Sequence, residues 1–586
     1  MHIADIVVIV LYFILILVVG VLYYSRSSKG MEEYFLSGRK LPWWIAGISM
    51  VATTFAADTP LAVTGLVAEY GIAGNWFWWG LAMSGFLTVF LYARLWRQAG
   101  VFTDAEFAEI RYAGRPAVFL RGFRAIYLAI PLNILIMGWV TLGMAQVIEA
   151  AFPGWSRWEV ILILYGITGM YLIASGLWGV VIADFIQFII AIFGSVILAV
   201  FTIQDFGGLD GLKIAFLDAG YPEHYLSVNP MHLDGITMTA FAWLFVQWWS
   251  SWYPGAEPGG GGYIAQRMLS AKSGKDATLS VFLFNILHYA VRPWPWIIVA
   301  IGAMVYFKGL DHPELGYPKM MLKLLPPGLF GLMSVAFLAA FMSTLSTHIN
   351  WGASYLVSDV YKRFIKKDAS EKQYVLVSRI ITFLLLGLAF LVALNMKSIQ
   401  GAWKIVFAIG AGTGLVYLLR WYWWRINAWS EISAMSAALV GVIIPIVLQY
   451  FVPVEVINEK IPFLNLNNFG HHLIWTTAFT TVIWVSVTYL TSPEKEEILR
   501  SFCLRTKTGG PGWKKFSENP ISFKKDLVYW VLSLVGTYGI LSGLSQIFFG
   551  DTFMGWLVTL ISAGILYFLF FKLFNDKNFD EDAKQV

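Results

Sequence analysis

The sequence lacks most of what a soluble protein of its length needs. Only 13% of its 586 residues are charged, whereas soluble domains carry roughly a quarter. Its single cysteine, Cys503, excludes an internal disulfide and a cysteine-based metal site. No glycine period is visible and aromatic residues reach 17%, so collagen, coiled-coil and disordered classes are excluded too. The 58% of hydrophobic residues then predicts an all-α polytopic membrane protein.

Long apolar runs are what the sequence has in abundance. Runs of about 18 residues or more predict membrane-spanning helices, because backbone polar groups in hydrocarbon must bond within their own segment. The first run lacks the basic start and small-residue cleavage site of a signal peptide, so we expect it to be retained. About fifteen spans are predicted, numbered in chain order: 4–24, 42–67, 73–98, 120–152, 157–177, 178–205, 236–257, 278–307, 328–361, 374–397, 401–424, 430–452, 472–491, 527–548 and 553–575.

Lysine and arginine are distributed unevenly between the two sides of this predicted topology. Loops on one side hold 31 of the 41, and the opposite loops and helix ends hold 8. The positive-inside rule therefore predicts an N-terminus outside and a C-terminus inside. The net charge of +5 becomes an orientation signal rather than evidence of nucleic-acid binding. The basic loop 492–526 is expected to be a solvated or headgroup-facing surface on the inside.

Two spans carry residues that interrupt helices. Span 2 contains FAADTP, with Asp58 and Pro60, and span 7 contains WYPGAEPGGGG at 252–262. Proline removes a hydrogen-bond donor and glycine weakens a helix, so both segments are expected to unwind. Interruptions five spans apart are the spacing that two inverted five-helix repeats require.

Four ionisable side chains fall deep within predicted spans: Asp58, Asp184, His288 and Arg292. Charge in the membrane interior is costly, so each is a functional-site hypothesis. Two alternatives stay open at this point. Asp58 and Arg292 could neutralise one another as a structural pair, and His288 could be a packing residue.

Span 9 holds a cluster of hydroxyls in LAAFMSTLSTHIN at 338–350, made of Ser343, Thr344, Ser346 and Thr347. Na⁺ is a hard cation that prefers oxygen ligands, and hydroxyls with carbonyls of an unwound helix supply them without net charge. The alternative is that these side chains bond back to the preceding turn or join helices.

Six sequence blocks resemble one family, the sodium:solute symporters, which include bacterial proline and sialic acid carriers and sodium/glucose cotransporters. The resemblance covers roughly residues 5–450. The blocks are YFLSGRKLPWW (34–44), GISMVATTFAADT (47–59), TDAEFAEIRY (103–112), GLWGVVIADFIQ (176–187), YIAQRMLSAKSGKDA (263–277) and LAAFMSTLSTHINWGASYLVSDVYK (338–362).

The resemblance implies a leucine-transporter-type fold, a 5+5 inverted repeat built from spans 2–11. One span precedes this core and four follow it. The implied organisation is an N-terminal helix and loop (1–41), a first repeat (42–205), an extracellular loop (206–235), a second repeat (236–424) and a C-terminal region of four helices (425–586).

The resemblance also implies a sodium site between the broken span 2 and span 9. Its ligands by position are Ala52, Phe55, Ala340, Ser343 and Thr344. Some members have a second sodium site, and its pattern matches Asp184, Ser343, Ser346 and Thr347. The alternative for Asp184 is that it only relays Na⁺ towards the cytoplasm.

By the same resemblance, the solute binds between the broken helices. Two features depart from the sugar-carrier pattern: Trp79 stands where those carriers have an acidic residue, and the GAEPGGGG insertion precedes Tyr263. Trp248, Trp249 and Trp252 could stack on a sugar ring or simply pack. The candidate solute-binding residues are Thr54, Asp58, Thr59, Trp79, Gln247, Tyr263, His288 and Arg292.

The expected function is sodium-coupled import of a small polar organic solute across a plasma or inner membrane, with Na⁺ as coupling ion and no organic cofactor. A sugar or polyol is slightly favoured; an amino acid or organic carboxylate is the alternative. A membrane sensor that keeps the transporter fold is the alternative of another class. An enzyme is not expected, because the loop residues His471, His472, Asp205, Asp210 and His224 form no catalytic constellation.

Overall fold

The structure is a computed structural model that describes residues 2–151, 154–230, 237–249, 260–396, 398–461, 464–517 and 523–576. Regular structure within these ranges is helical, apart from one isolated parallel bridge between Leu41 and Ala271. An all-helical chain is what apolar spans dictate, since a helix satisfies its backbone hydrogen bonds internally.

The principal helices are long, with shorter helical turns between them. In chain order they are α1 (Ile3–Ser27), α2 (Trp43–Thr54), α3 (Thr59–Tyr70), α4 (Ile72–Ala99), α5 (Gly114–Glu149), α6 (Arg157–Asp205), α7 (Thr237–Phe245), α8 (Gly262–Ser270), α9 (Gly274–Asn285), α10 (Pro293–Tyr306), α11 (Leu329–Ile365), α12 (Glu371–Asn395), α13 (Ile399–Leu419), α14 (Ala428–Phe451), α15 (Phe469–Leu490), α16 (Phe523–Phe549) and α17 (Thr552–Phe574).

Eleven helices in the described ranges are long and apolar enough to cross a membrane, or twelve if the bent pair α2–α3 is one span. The predicted number of fifteen spans is not confirmed. Span 8 falls on two shorter helices, α9 and α10, which the π-helical turn Ile286–Val291 separates. Part of span 7, including Trp252, lies outside the described residues. The inverted repeat and the membrane orientation stay predictions.

The interruption predicted in span 2 is present. Helix α2 ends at Thr54, α3 begins at Thr59, and their axes differ by 58°. Phe55 has the non-helical angles φ −89° and ψ 72°. Pro60 lies in the first turn of α3, where its missing N–H has no helical partner to lose. The sequence FAADTP therefore breaks the helix and restarts it.

A glycine divides α6 near the predicted boundary between spans 5 and 6. Gly176 has φ 55° and ψ −159°, and a Cβ there would lie 2.8 Å from the backbone oxygen of Tyr34. Only glycine adopts this conformation at such a close approach without strain.

A buried charge network joins the loop after α4 to α5, α11 and α14. Arg121 donates to Asp359 at 2.7 Å, and Arg124 donates to Asp104 at 3.1 Å. Arg124 also lies 3.8 Å from the carboxylate of Glu431. We call these five residues the carboxylate–arginine network.

Further groups complete this network. Arg420 and Tyr112 donate to Glu431 at 3.1 and 2.6 Å. In the loop after α4, burial opposes ionisation of Glu109, but hydrogen bonds from Arg363 and Arg121 hold its pKa below the usual value. Each carboxylate here meets an arginine, as buried charges require.

Candidate functional site

The hydroxyl of Thr344 joins α11 to the broken end of α2. Its Oγ1 donates to the backbone oxygen of Thr53 at 2.7 Å and lies 3.1 Å from that of Ala340. All three residues are buried. One hydroxyl and two carbonyl oxygens from two helices therefore converge beside the helix break.

The other predicted ligands of the first sodium site lie next to this point. Ala52 and Phe55 flank the last residues of α2, and the Phe55 N–H bonds to the carbonyls of Val51 and Ala52 at 2.9 and 3.1 Å. Ser343 precedes Thr344 on α11 and is also buried. The predicted ligands are neutral carbonyl and hydroxyl oxygens, which a hard monovalent cation such as Na⁺ prefers.

Asp184 of α6 is the hub of a second cluster. It accepts a hydrogen bond from Ser343 at 2.6 Å on one carboxylate oxygen and one from Ser49 at 2.5 Å on the other. Ser346 donates to the backbone oxygen of Ser343 at 3.1 Å, and Thr347 lies 3.0 Å from Thr53 through their hydroxyls. Of the four residues predicted for a second sodium ion, Ser343 and Asp184 are therefore in direct contact, while Ser346 bonds back to the preceding turn of α11 and Thr347 contacts α2.

Arg267 is the main site residue that sequence reasoning missed. It falls between predicted spans 7 and 8, where the span boundaries predict a loop, but it lies on α8 and is fully buried. Its guanidinium donates to Thr347 at 2.7 Å and to Ser49 at 3.1 Å, and it lies 3.5 Å from Asp184. Ser49 and Thr53 were missed as well, although their spacing along α2 places them on the same face as each other.

The predicted solute residues Thr54, His288 and Arg292 meet on the other face of the break. Thr54 Oγ1 lies 3.0 Å from His288 Nδ1 and accepts a hydrogen bond from Arg292 at 3.0 Å. Arg292 also donates to the Val51 carbonyl at 3.2 Å. Trp296 lies beneath the guanidinium at 5.3 Å. The Arg292 guanidinium thus caps the C-terminal end of α2.

Asp58 lies within the break and is fully buried. Among the described residues, neither of its carboxylate oxygens has a hydrogen-bond partner. Arg292, which could have paired with it, bonds to α2 instead. Trp403 and Arg292 lie close enough to interact with this carboxylate, but its two oxygens keep hydrogen-bonding capacity for a ligand that brings donors. Gly143 of α5 packs against it, since a Cβ there would lie 2.8 Å from Asp58 Cα.

The remaining predicted residues are spread more widely. Thr59 Oγ1 lies 3.4 Å from the Thr54 carbonyl, which keeps it at the break. Gln247 donates to the backbone oxygen of Phe77. Tyr263 lies beside the Asp184 cluster, with its ring 5.9 Å from the Arg267 guanidinium.

Trp79, a predicted solute residue, and its neighbour Trp78 lie in different surroundings. Trp78 packs edge-on to His288 at 5.4 Å and lies 6.0 Å from Arg292. Trp79 lines a separate cavity of about 670 Å³, where Tyr538 of α16 donates to its backbone oxygen at 3.1 Å. Trp248 packs on Trp530 of α16, with ring centroids 6.2 Å apart.

Comparisons with known proteins identify the family of the chain. The model of the sodium:solute symporter family matches residues 34–441. A sodium/glucose cotransporter of Vibrio parahaemolyticus is 26% identical over 82% of this chain and 89% of its own length. A sodium/myo-inositol cotransporter of Bos taurus is 23% identical over 85% of this chain and 75% of its own.

A solved structure shares the fold. It is a substrate-bound, outward-open Na⁺-coupled sialic acid symporter, with a TM-score of 0.64 and 20% identity over 84% of this chain and 99% of its own. The family match covers well over half of the 586 residues. Together with the broken helix and the buried oxygen clusters, the match establishes that this multi-pass membrane chain belongs to the sodium:solute symporter family.

Proposed function

We propose that the chain is a symporter that uses the sodium gradient to import a small polar organic solute across a plasma or inner membrane. The observation that carries the proposal is the convergence of Thr344 Oγ1 with the Thr53 and Ala340 carbonyls at the broken end of α2. A Na⁺ ion there takes its ligands from Ala52, Phe55, Ala340, Ser343 and Thr344. The family membership supports sodium as the coupling ion.

The coupling follows from the position of the ion. Because its ligands come from both α2 and α11, bound Na⁺ holds the broken helix against α11 and stabilises the solute site on the other face. Solute then raises the affinity for Na⁺ by the same factor, since linkage is reciprocal. The membrane potential adds about 2.3 kcal/mol per charge for each 100 mV.

The preferred solute is a sugar or polyol. The two carboxylate oxygens of Asp58 accept hydrogen bonds and, among the described residues, receive none. Adjacent hydroxyl groups of a polyol supply such donors, and Thr54 and His288 lie on the same side of the break. Relatives named for glucose and myo-inositol support this class. Arg292 beside Thr54 supports the alternative, an amino acid or carboxylate.

Uptake by the purified protein in lipid vesicles tests the sodium site. We expect Ser343→Ala with Thr344→Ala to abolish sodium-stimulated uptake while the protein stays folded, because two hydroxyl ligands are lost. Ser334→Ala on the same helix is the matched control: it is buried and bonds only to the turn before it, to Phe330 at 2.9 Å. Normal sodium dependence in the double variant would show that the site is assigned wrongly.

The midpoint temperature of thermal unfolding identifies the solute. It is measured with sugars, polyols, amino acids and carboxylates, once in NaCl and once in KCl. A ligand that binds the folded state raises the midpoint. A sugar or polyol that stabilises only in sodium supports both parts of the proposal. Stabilisation by an amino acid alone replaces the solute class, and equal stabilisation in both salts contradicts sodium coupling.

A further inference from the structure

The guanidinium of Arg267 lies among the residues that the resemblance assigns to a second sodium ion. Its Nη2 donates to Thr347 Oγ1 at 2.7 Å and lies 3.5 Å from Asp184 Oδ2. Ser343 donates to the other oxygen of Asp184, and Ser346 donates to the Ser343 carbonyl. A fixed cation therefore already contacts two of the four predicted ligands.

Other contacts hold this cation in place. Arg267 Nε donates to Ser49 at 3.1 Å, and Nη1 donates to Gln266 at 2.8 Å. Gln266 in turn donates to Asn350 of α11 and to the Phe35 carbonyl, both at 3.0 Å. A planar guanidinium with fixed donor directions is well suited to such a position.

Charge balance decides what this position accepts. Asp184 and Arg267 are both fully buried, and their charges cancel. A Na⁺ ion added between the same oxygens would leave a net positive charge out of water, which is strongly unfavourable. The ion and the guanidinium would also compete for the same two acceptors, Asp184 Oδ2 and Thr347 Oγ1.

We propose that Arg267 is a tethered cation that takes the place of a second Na⁺, so that this chain binds and couples a single sodium ion per cycle. The proposal rests on the sodium-coupled function above and deepens it, because it makes Arg267 the residue that sets the ion stoichiometry. The single ion binds at Thr344, while Asp184 is kept neutralised by the protein itself.

Equilibrium binding of radioactive sodium to the purified full-length protein counts the ions without knowledge of the solute. We expect about one ion per chain in the wild type and in Asp184→Asn, and close to none in Thr344→Ala, because the ion needs the neutral oxygens at Thr344. About two ions in the wild type, or loss of the ion in Asp184→Asn, would overturn this proposal alone. No binding in the wild type would overturn the sodium-coupled function itself.

Arg267→Met removes the charge and keeps the length of the side chain. If it folds, we expect it to bind about two ions, because Asp184 then lacks a buried counter-charge. Arg267→Lys keeps the charge and is expected to stay at one, and Arg267→Met with Asp184→Asn is expected to return to one. A folded Arg267→Met that still binds a single ion contradicts the proposal. If Arg267→Met does not fold, the wild-type, Asp184→Asn and Thr344→Ala counts decide.

Discussion

Buried carboxylates have close charged partners in the carboxylate–arginine network but not at the helix break. In the network, Asp104 and Asp359 each receive an arginine within about the distance of a strong hydrogen bond, 3.1 and 2.7 Å. At the break, Asp58 has no hydrogen-bond partner among the described residues. Asp184 lies between these extremes, with two serine donors and a guanidinium at 3.5 Å.

This difference distinguishes buried charges that stabilise the fold from a buried carboxylate that is available to a ligand. Direct ion pairs join the loop after α4 to α5, α11 and α14, so the network carboxylates are neutralised within the protein. Asp58 is compensated less completely, by Arg292 at a distance, and its oxygens keep hydrogen-bonding capacity. A site that must bind and release a polar solute needs the second arrangement.

Removal of a network arginine is expected to have the largest effect on stability. Arg124→Met leaves Asp104 without its guanidinium and takes an arginine from Glu431. We expect the free energy of unfolding to fall by about 3–5 kcal/mol, measured by denaturant titration in detergent, with sodium binding per folded chain unchanged.

Arg363→Met is the control for this variant. Arg363 pairs with Glu109 at 2.8 Å, but its side chain is 39% exposed. Solvent screens such a pair, so the loss should stay below about 1 kcal/mol. Equal losses in the two variants would mean that the network is no more than a set of surface pairs.

Asp58→Asn tests the carboxylate at the helix break. We expect the free energy of unfolding to stay the same or rise, since a fully buried carboxylate without a direct ion pair is replaced by a neutral amide. Solute affinity should fall by about 10- to 150-fold. This range corresponds to the loss of one hydrogen bond to a charged group, which contributes roughly 1.5–3 kcal/mol. The apparent affinity in an uptake assay measures this effect. A strongly destabilised variant with normal affinity would place Asp58 with the structural charges.

Thr53→Val is expected to have the smallest effect. It removes the hydroxyl contact to Thr347 at 3.0 Å but keeps the shape of the side chain. We expect a loss of about 1 kcal/mol in the free energy of unfolding. Thr202→Val is the control, because Thr202 bonds only to the preceding turn at 2.8 Å. A loss in Thr53→Val no larger than in the control would show that this contact adds nothing.

The sequence predicted the parts of the fold that follow from local chemistry. Pro60 and the small residues before it located the break in span 2, and Gly176 lies near the predicted boundary of spans 5 and 6. The number of spans was harder to predict. An apolar run such as 278–307 does not reveal the π-helical turn at Ile286–Val291, which divides it into two shorter helices.

The site was predicted residue by residue only where a motif carried it. Ser343 bonds to Asp184 between α6 and α11, and Thr344 bonds to the Thr53 carbonyl at the end of α2. Arg267 was missed because a charged residue near a helix end is normally assigned to a loop. Its neutralisation by Asp184, far away in the sequence, is a tertiary contact that no local pattern encodes.

The bare surface of α5 at Gly143 has a mechanical consequence. With no side chain there, the backbone around Asp58 lies directly against α5. We expect any larger residue at position 143 to act as a wedge between α5 and the segment around Asp58, since even a Cβ there would lie 2.8 Å from Asp58 Cα.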